Sequence, residues 1–487
     1  MTSIGVSRAL GVLLLWVIVA APWSWWLISD DQAPTRDRRQ TLSAAYSLAT
    51  HGVLDYGFPQ HGPEPAQGVS GNRREPLYPL LWAAIIAWDP AGEVRAHGWQ
   101  CFQQPHRCPT VARLTKAVNW VFQSALVLAV GAGVWWLTGR RWYAVSWMLV
   151  VAGSALLLSG VDSWETETGA NLFLLLHALF LYAAFSSQRP KLAAVLSGIA
   201  LGLLILVKAV FYYLLILYLL VAAVLLLRPL VRRGSGALWP GARLFFVALC
   251  AALVIGPWMV RNLVVLGDWS VSGRGGRVLA IRSEYTTMAW GDFPAAFTFF
   301  TPDRGTWLLH ERYDPETVAR LDRRSLDSFY RRSQKQRGAA DRLAREQGIS
   351  LTRAALLVIA GNLDKQVALT PLFVYRGSAP PRYLSVDAYK HLPKPLRRLN
   401  EFFQRWWIPA LLLASGWFAL WGPRRYLILV APALFSIAFH AFLTHYIQRY
   451  ATPLYGISVL VAAVFLFQLA GLIRRPPQPE DSPASGH

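Results

Sequence analysis

Apolar runs of about 17 to 25 residues alternate with short polar connections along the chain, the length an α-helix needs to cross a hydrocarbon core. The pattern predicts spans at 9–28, 113–137, 142–160, 169–187, 192–208, 210–228, 242–260, 406–421, 425–444 and 450–472, ten in all, with both termini on one side. The first run, Ala9 to Ile28, exceeds a secretory h-region and lacks a small-residue cleavage site, so it is read as a retained helix. The stretch from Leu77 to Trp88 holds about twelve apolar residues, too few for an upright crossing. It reads as an interfacial or re-entrant helix, with a short tilted span as the alternative.

Basic residues orient the bundle. Arg140 and Arg141, Arg189 to Lys191, Arg228 to Arg243, Arg424 and Arg425, and Arg474 and Arg475 all fall on one face, which the positive-inside rule makes cytoplasmic. The opposite face receives residues 29–112, the acidic turn Asp162 to Glu167, the Lys208 turn, the loop 262–405 and the turn His445 to Arg449. The expected organisation is an N-terminal transmembrane module (1–262), an extracytoplasmic segment (263–405), C-terminal transmembrane helices (406–472) and a Pro- and Ser-rich disordered tail (473–487). Within the outer segment, 311–356 is rich in Arg, Asp and Ala at helical spacing, followed by Pro371, Pro380, Pro381, Pro393 and Pro395, which suits a small helical subdomain. Its arginines read as a solvated face, or as contacts for anionic headgroups or glycans.

Composition agrees with a polytopic, all-α membrane protein in a lipid bilayer: 54% of residues are hydrophobic and only 15% charged. The net charge of +21 invites nucleic acid as a partner, yet the basic residues are scattered between spans without an aromatic and basic binding module, so that partner is excluded. Cys101 and Cys108 fall together in the outer loop, where an oxidising compartment allows a local disulfide; two free thiols are the alternative. Cys250, inside an apolar span, reads as a packing residue. There is no HExxH, paired-Cys motif or acidic cage, so the sequence requires no metal or other cofactor.

Charges at the hydrocarbon boundary are costly enough that they pair or work. Asp37, Glu167, Lys208, Arg261 and Arg449 all fall at outer ends of spans or on outer loops. A carboxylate there can take a proton from an acceptor hydroxyl, while lysine and arginine can hold a lipid phosphate as it leaves. Each also has a structural reading: the cations snorkel to headgroups, and the acids cap or begin helices.

The segments around these residues resemble the polyprenyl-phosphate-sugar-dependent glycosyltransferases of the GT-C superfamily, the group containing protein O-mannosyltransferases and lipid A aminoarabinose transferases. DRRQTLSAAYSLATHG, from Asp37 to Gly52, is similar to the family's catalytic Asp followed by an Ala-rich helix ending in Gly. REPLYPLLWA from Arg74 is similar to its Pro-X-Tyr-Pro interfacial helix, and ETETGANLFLLL from Glu165 to its Thr-Glu motif opening a span. SGIALGLLILVK, ending at Lys208, GPWMVRN from Gly256 and QRYATPLY from Gln448 follow in the family's order.

The resemblance implies a GT-C-like fold and an inverting transfer from a polyprenyl-phosphate-linked sugar to a glycan, lipid or protein acceptor, on the extracytoplasmic face of a bacterial inner membrane. Asp37 would be the general base, Glu167 would shape the sugar or acceptor site, and Lys208, Arg261 and Arg449 would hold the phosphate. Tyr78 and His445 would lie nearby. Two positions depart from the family: Arg38 follows Asp37 where an acid is common, and Glu75 precedes the proline where a basic or neutral residue is usual. Asp30 and Asp31 are therefore alternative bases. A lipid-linked sugar transporter and a noncatalytic partner subunit are the rival readings, although no inverted repeat is apparent and the charges avoid the bilayer midplane.

Overall fold

The computed structural model describes residues 25, 28, 36–54, 71–72, 74–232, 239–301, 304–378, 394–445 and 448–473. Nearly all of the expected first span, the alternative bases Asp30 and Asp31, and the tail beyond 473 lie outside the described residues. Among the described residues the regular structure is entirely helical.

The chain enters through α1 (Arg36–His51) and α2 (Leu77–Trp88), which pack on each other, and α2 buries Tyr78, Trp82 and Ile86. The Cys101–Cys108 disulfide precedes α3 (Pro109–Thr138). Glu93 caps that helix, accepting the free amides of Thr110 and Val111 at 3.1 and 2.9 Å. Gly139, at φ +71°, ends it in the left-handed conformation that glycine adopts without strain. Then follow α4 (Arg141–Ala152), α5 (Ala155–Val161), α6 (Glu167–Ser186), α7 (Pro190–Val207), α8 (Tyr212–Arg232) and α9 (Trp239–Leu266).

The segment over 263–378 builds a helical layer containing α10 (Gly275–Thr286), α11 (Phe329–Gln334), α12 (Ala339–Gln347), α13 (Leu351–Ala360) and α14 (Leu363–Ser378). Part of its basic surface is paired and not simply solvated: Arg277 meets Asp341 at 2.8 Å, Arg320 meets Asp292 at 2.9 Å and Arg332 meets Glu284 at 3.0 Å. The chain closes with α15 (Lys394–Leu420), α16 (Tyr426–Leu443), the short α17 (Gln448–Ala451) and α18 (Tyr455–Ile473).

Seven described helices are long and apolar enough to cross a membrane: α3, α6, α7, α8, α9, α16 and α18. The expected span at 142–160 is instead two helices, of 12 and 7 residues, because the helix stops at Gly153 and Ser154 turns into the extended region. Hydropathy averaged over the run does not register that break. The expected span at 406–421 is the apolar end of α15, Trp406–Leu420, a shorter apolar helix than those seven, and α13 and α14 meet at 97° as a broken span or re-entrant pair where a wholly outer loop was expected.

The bundle is organised around α6. Within the apolar window of that helix 78% of residues are buried, against 28% in α8 and in α9, so α6 is the hub and the latter two form the rim. His177 on α6 ties the hub to its neighbours through Ser197 O on α7 at 3.0 Å and the Tyr218 hydroxyl on α8 at 2.9 Å. Gly198 and Gly202 let α7 lie directly on α9: a methyl at Gly198 would meet Val247 O at 2.5 Å, and one at Gly202 would meet Val254 Cβ at 2.5 Å. This close crossing sets where α7 ends at Lys208 and where α9 carries Arg261.

Candidate active site

The loop from Asp162 to Thr166 delivers two carboxylates to the start of α6, and buried polar groups hold it in place. Asn119, fully enclosed on α3, donates to Ser163 O at 2.7 Å and Glu165 O at 2.9 Å. Tyr78 on α2 donates to Asn119 Oδ1 at 2.7 Å and accepts the Gly169 amide at 3.0 Å. Gly169 has no room for a side chain, since a Cβ there would meet the Tyr78 hydroxyl at 2.9 Å. Tyr78 thus bridges the short apolar helix, the loop and the first turn of α6. Below it, Lys116 and Asp162 form a buried ion pair at 2.9 Å, with the lysine 4.8 Å from the Trp164 ring centroid.

Glu167, the first residue of α6, is buried and draws two cations to one oxygen: Lys208 Nζ at 2.8 Å and Arg449 Nε at 3.3 Å. Lys208 comes from the extended end of α7 and Arg449 from α17, so residues remote in sequence meet at one end of the bundle. Two residues earlier, Glu165 pairs with Arg38 of α1. Burial, then the neighbouring charge of Glu167, push the Glu165 carboxyl above its ordinary range, against the opposing pull of Arg38 and Arg449. The cluster therefore holds two carboxylates and three cations in alternation.

Asp37 is the second residue of α1, next to Arg38; its side chain lies outside those described. Through Arg38, the start of α1 is fastened to the loop that carries Glu165 and Glu167. Glu75 reaches the same region, accepting the Ala209 amide at 3.3 Å just after Lys208. Arg261 is engaged differently, donating to Gly71 O at 3.1 Å and Asn262 Oδ1 at 2.8 Å while its guanidinium lies 4.9 Å from the Trp258 ring centroid. It reaches the cluster through the 71–75 segment, whose Glu75 touches the Lys208 turn. His445 is buried beside Tyr330 and Tyr450, with ring centroids 5.8 and 5.6 Å away.

The structure thus brings Glu167, Lys208 and Arg449 into direct contact, sets Tyr78 and Glu75 against the segments that carry them, and holds Arg261 one segment away. Sequence reasoning passed over Asn119, the Lys116–Asp162 pair and the partnership of Arg38 with Glu165. The last had a signal: Arg38 stands where the resembled family commonly has an acid, and an arginine near the hydrocarbon boundary asks for a carboxylate partner. Among the described residues, no three His, Cys, Asp or Glu side chains converge as a metal site. Chemically, the cluster offers cations for a phosphate and carboxylates that hold those cations ready.

No family model and no curated protein matches this chain. In fold it is similar to ArnT from Cupriavidus metallidurans in the apo state, at 13% identity and a TM-score of 0.39, covering 95% of this chain and 79% of that one. It is similar also to ArnT bound to undecaprenyl phosphate, at 13% identity and a TM-score of 0.38, covering 94% and 78%. A third neighbour is the archaeal oligosaccharyltransferase AglB from Archaeoglobus fulgidus, in complex with an inhibitory peptide and a dolichol-phosphate, at 13% identity and a TM-score of 0.43 over 97% of this chain; the match spans 52% of AglB, about half its length.

Proposed function

We propose that this chain is a membrane glycosyltransferase that moves a sugar from a polyprenyl-phosphate donor to an acceptor hydroxyl, with inversion, at the extracytoplasmic face of a bacterial inner membrane. Asp37 takes the proton from the acceptor hydroxyl, and the freed oxygen attacks the anomeric carbon. The bond from that carbon to the phosphate oxygen breaks, and the polyprenyl phosphate leaves with its electron pair. Lys208 and Arg449 receive the developing negative charge, with Arg261 as a third candidate. No general acid is needed, because the leaving phosphate is neutralised by cations.

The observation that carries this reading is the meeting of Glu167, Lys208 and Arg449, with the start of α1 fastened beside them through Arg38 and Glu165. Glu167 acts here as a resident counterion. It holds the two cations in position before the donor arrives and yields them to the phosphate when it does. The six family-like segments, occurring in the family's order, support the same assignment of Asp37.

The test is mass spectrometry of surface glycans, glycolipids and glycoproteins from cells lacking this protein, complemented with wild type or with equally expressed Asp37→Asn. One sugar should vanish and return only with wild type, its mass identifying what is transferred. Restoration by both would remove Asp37 as the base.

A further inference from the structure

Behind Arg449 lies a second group of charges that the proposed transfer leaves unused. His445 follows α16, Arg376 sits near the end of α14, and Arg323 precedes α11. Tyr330 joins them: the Arg323 guanidinium lies 4.0 Å from its ring centroid and the His445 ring 5.8 Å from it. Arg376 lies 4.3 Å from the Phe300 ring centroid. Arg331 Nε donates to Arg323 O at 3.1 Å, which pins the backbone that presents Arg323.

Two observations mark this group as unfinished. Arg376 and His445 are both more than nine-tenths buried, yet Arg376 Nη1 and His445 Nδ1 have no hydrogen-bond partner among the described residues. The strongest charges acting on His445 are Arg376, Arg323 and Arg449, with His440 behind them, and no carboxylate stands among these. Aromatic faces stabilise a guanidinium but supply no full counter-charge. A buried cation without a carboxylate partner is costly, and a bound oxyanion would satisfy both open donors and the charge at once, with His445 donating once its ring carries a proton on Nδ1.

We infer that Arg323, Arg376 and His445 form a second anion subsite, which takes a phosphate or carboxylate group of the acceptor. The assignment to the acceptor rests on the glycosyltransferase reading: a polyprenyl-phosphate donor brings one phosphate, and Lys208 and Arg449 serve it. Arg449 stands between the two groups, 3.3 Å from Glu167 and among the charges felt by His445. An acceptor anchored by its anion at this subsite would therefore present its hydroxyl within one side chain of the donor's phosphate. The transferred sugar would go to an acidic lipid or glycan.

The test uses the purified full-length protein in detergent, titrated with inorganic phosphate and, separately, with undecaprenyl phosphate. Arg376→Gln and Arg323→Gln should each weaken inorganic phosphate by about tenfold or more and leave undecaprenyl phosphate within about twofold. Lys208→Gln should do the reverse. Loss of undecaprenyl phosphate binding in the arginine variants would overturn the acceptor assignment and give the cluster to the donor, while unchanged phosphate binding in both would overturn the subsite itself. Arg376→Lys should keep most of the phosphate affinity. If Arg376→Gln does not fold, Arg323→Gln carries the test, because Arg323 is partly exposed and outside the packed core. Neither titration needs turnover, so a protein that shows this split but transfers no sugar would refute the enzyme reading and leave the subsite standing.

Discussion

Two charge clusters share Arg449 and are built on opposite plans. Around Glu167 each acid has a basic partner: Lys208 and Arg449 for Glu167, Arg38 for Glu165. Around His445 the basic groups meet aromatic rings and one another. The first cluster pairs each acid with a cation of the folded chain and so holds its geometry without a ligand. The second is held largely by packing and shows no carboxylate partner among the described residues. A cluster whose acids are paired is suited to preorganisation, and one of cations without acids to capture.

The largest effect should separate them by chemistry. Asp37→Asn is expected to lower the transfer rate by about 10²-fold or more at unchanged expression, whereas Arg376→Gln should act mainly on the acceptor KM; single-turnover and steady-state rates on purified protein distinguish the two. Next, Glu167→Gln would strand Lys208 and Arg449 and should cost about 3 to 5 kcal/mol, read as a lowered Tm in detergent. That variant leaves Lys208 and Arg449 without their acid, like the cations of the neighbouring cluster, so inorganic phosphate should stabilise it more than it does wild type. If its Tm is unchanged, the contrast between the clusters fails.

A smaller effect is expected from Arg38→Gln. Its pair with Glu165 is only partly enclosed, so the loss should be about 1 kcal/mol in stability, with a larger fall in activity as the start of α1 loosens. The smallest is a pH effect at His445. Burial, then Arg376, Arg323 and Arg449, hold its imidazole well below the ordinary value. The groups facing it come from α14, from the turn before α11, from α17 and from α16, with Tyr330 and Tyr450 against the ring. A base whose folded pKa is depressed contributes full stability above its unfolded pKa and loses it as pH falls below about 6.5. Wild type should therefore lose Tm between pH 7 and 5 more steeply than His445→Gln, and added phosphate should flatten the wild-type curve.

What was legible in the sequence follows from distance along the chain. Long apolar runs announce their helices, and α3, α6, α7, α8, α9, α16 and α18 stand where hydropathy places spans. Glu167, Lys208 and Arg449 were legible because each sits in a short patterned segment at the end of a helix. The break at Gly153 and Ser154 was not, since one glycine and one serine scarcely alter the average hydropathy of a run. The second cluster was legible only in part. His445 was noticed for its place beside the Arg-Tyr-X-X-Pro segment, but Arg323 and Arg376 looked like two of many arginines in a polar loop. Only the 97° elbow between α13 and α14, and the packing of α14 on α16 and α17, bring Arg376 back to His445. Asn119 was hidden for a different reason: its role is to satisfy backbone carbonyls of a loop whose path no periodicity records.

The glycines at 198 and 202 act as a gauge for the site. They fix the distance between two helix axes by backbone meeting its neighbour, and both helices run on to carry a cation, Lys208 at the end of one and Arg261 near the end of the other. The interval between these two cations is therefore set by the absence of two methyl groups, one to three helical turns below it. An alanine at either glycine would leave every charged residue in the sequence and still widen the interval between Lys208 and Arg261.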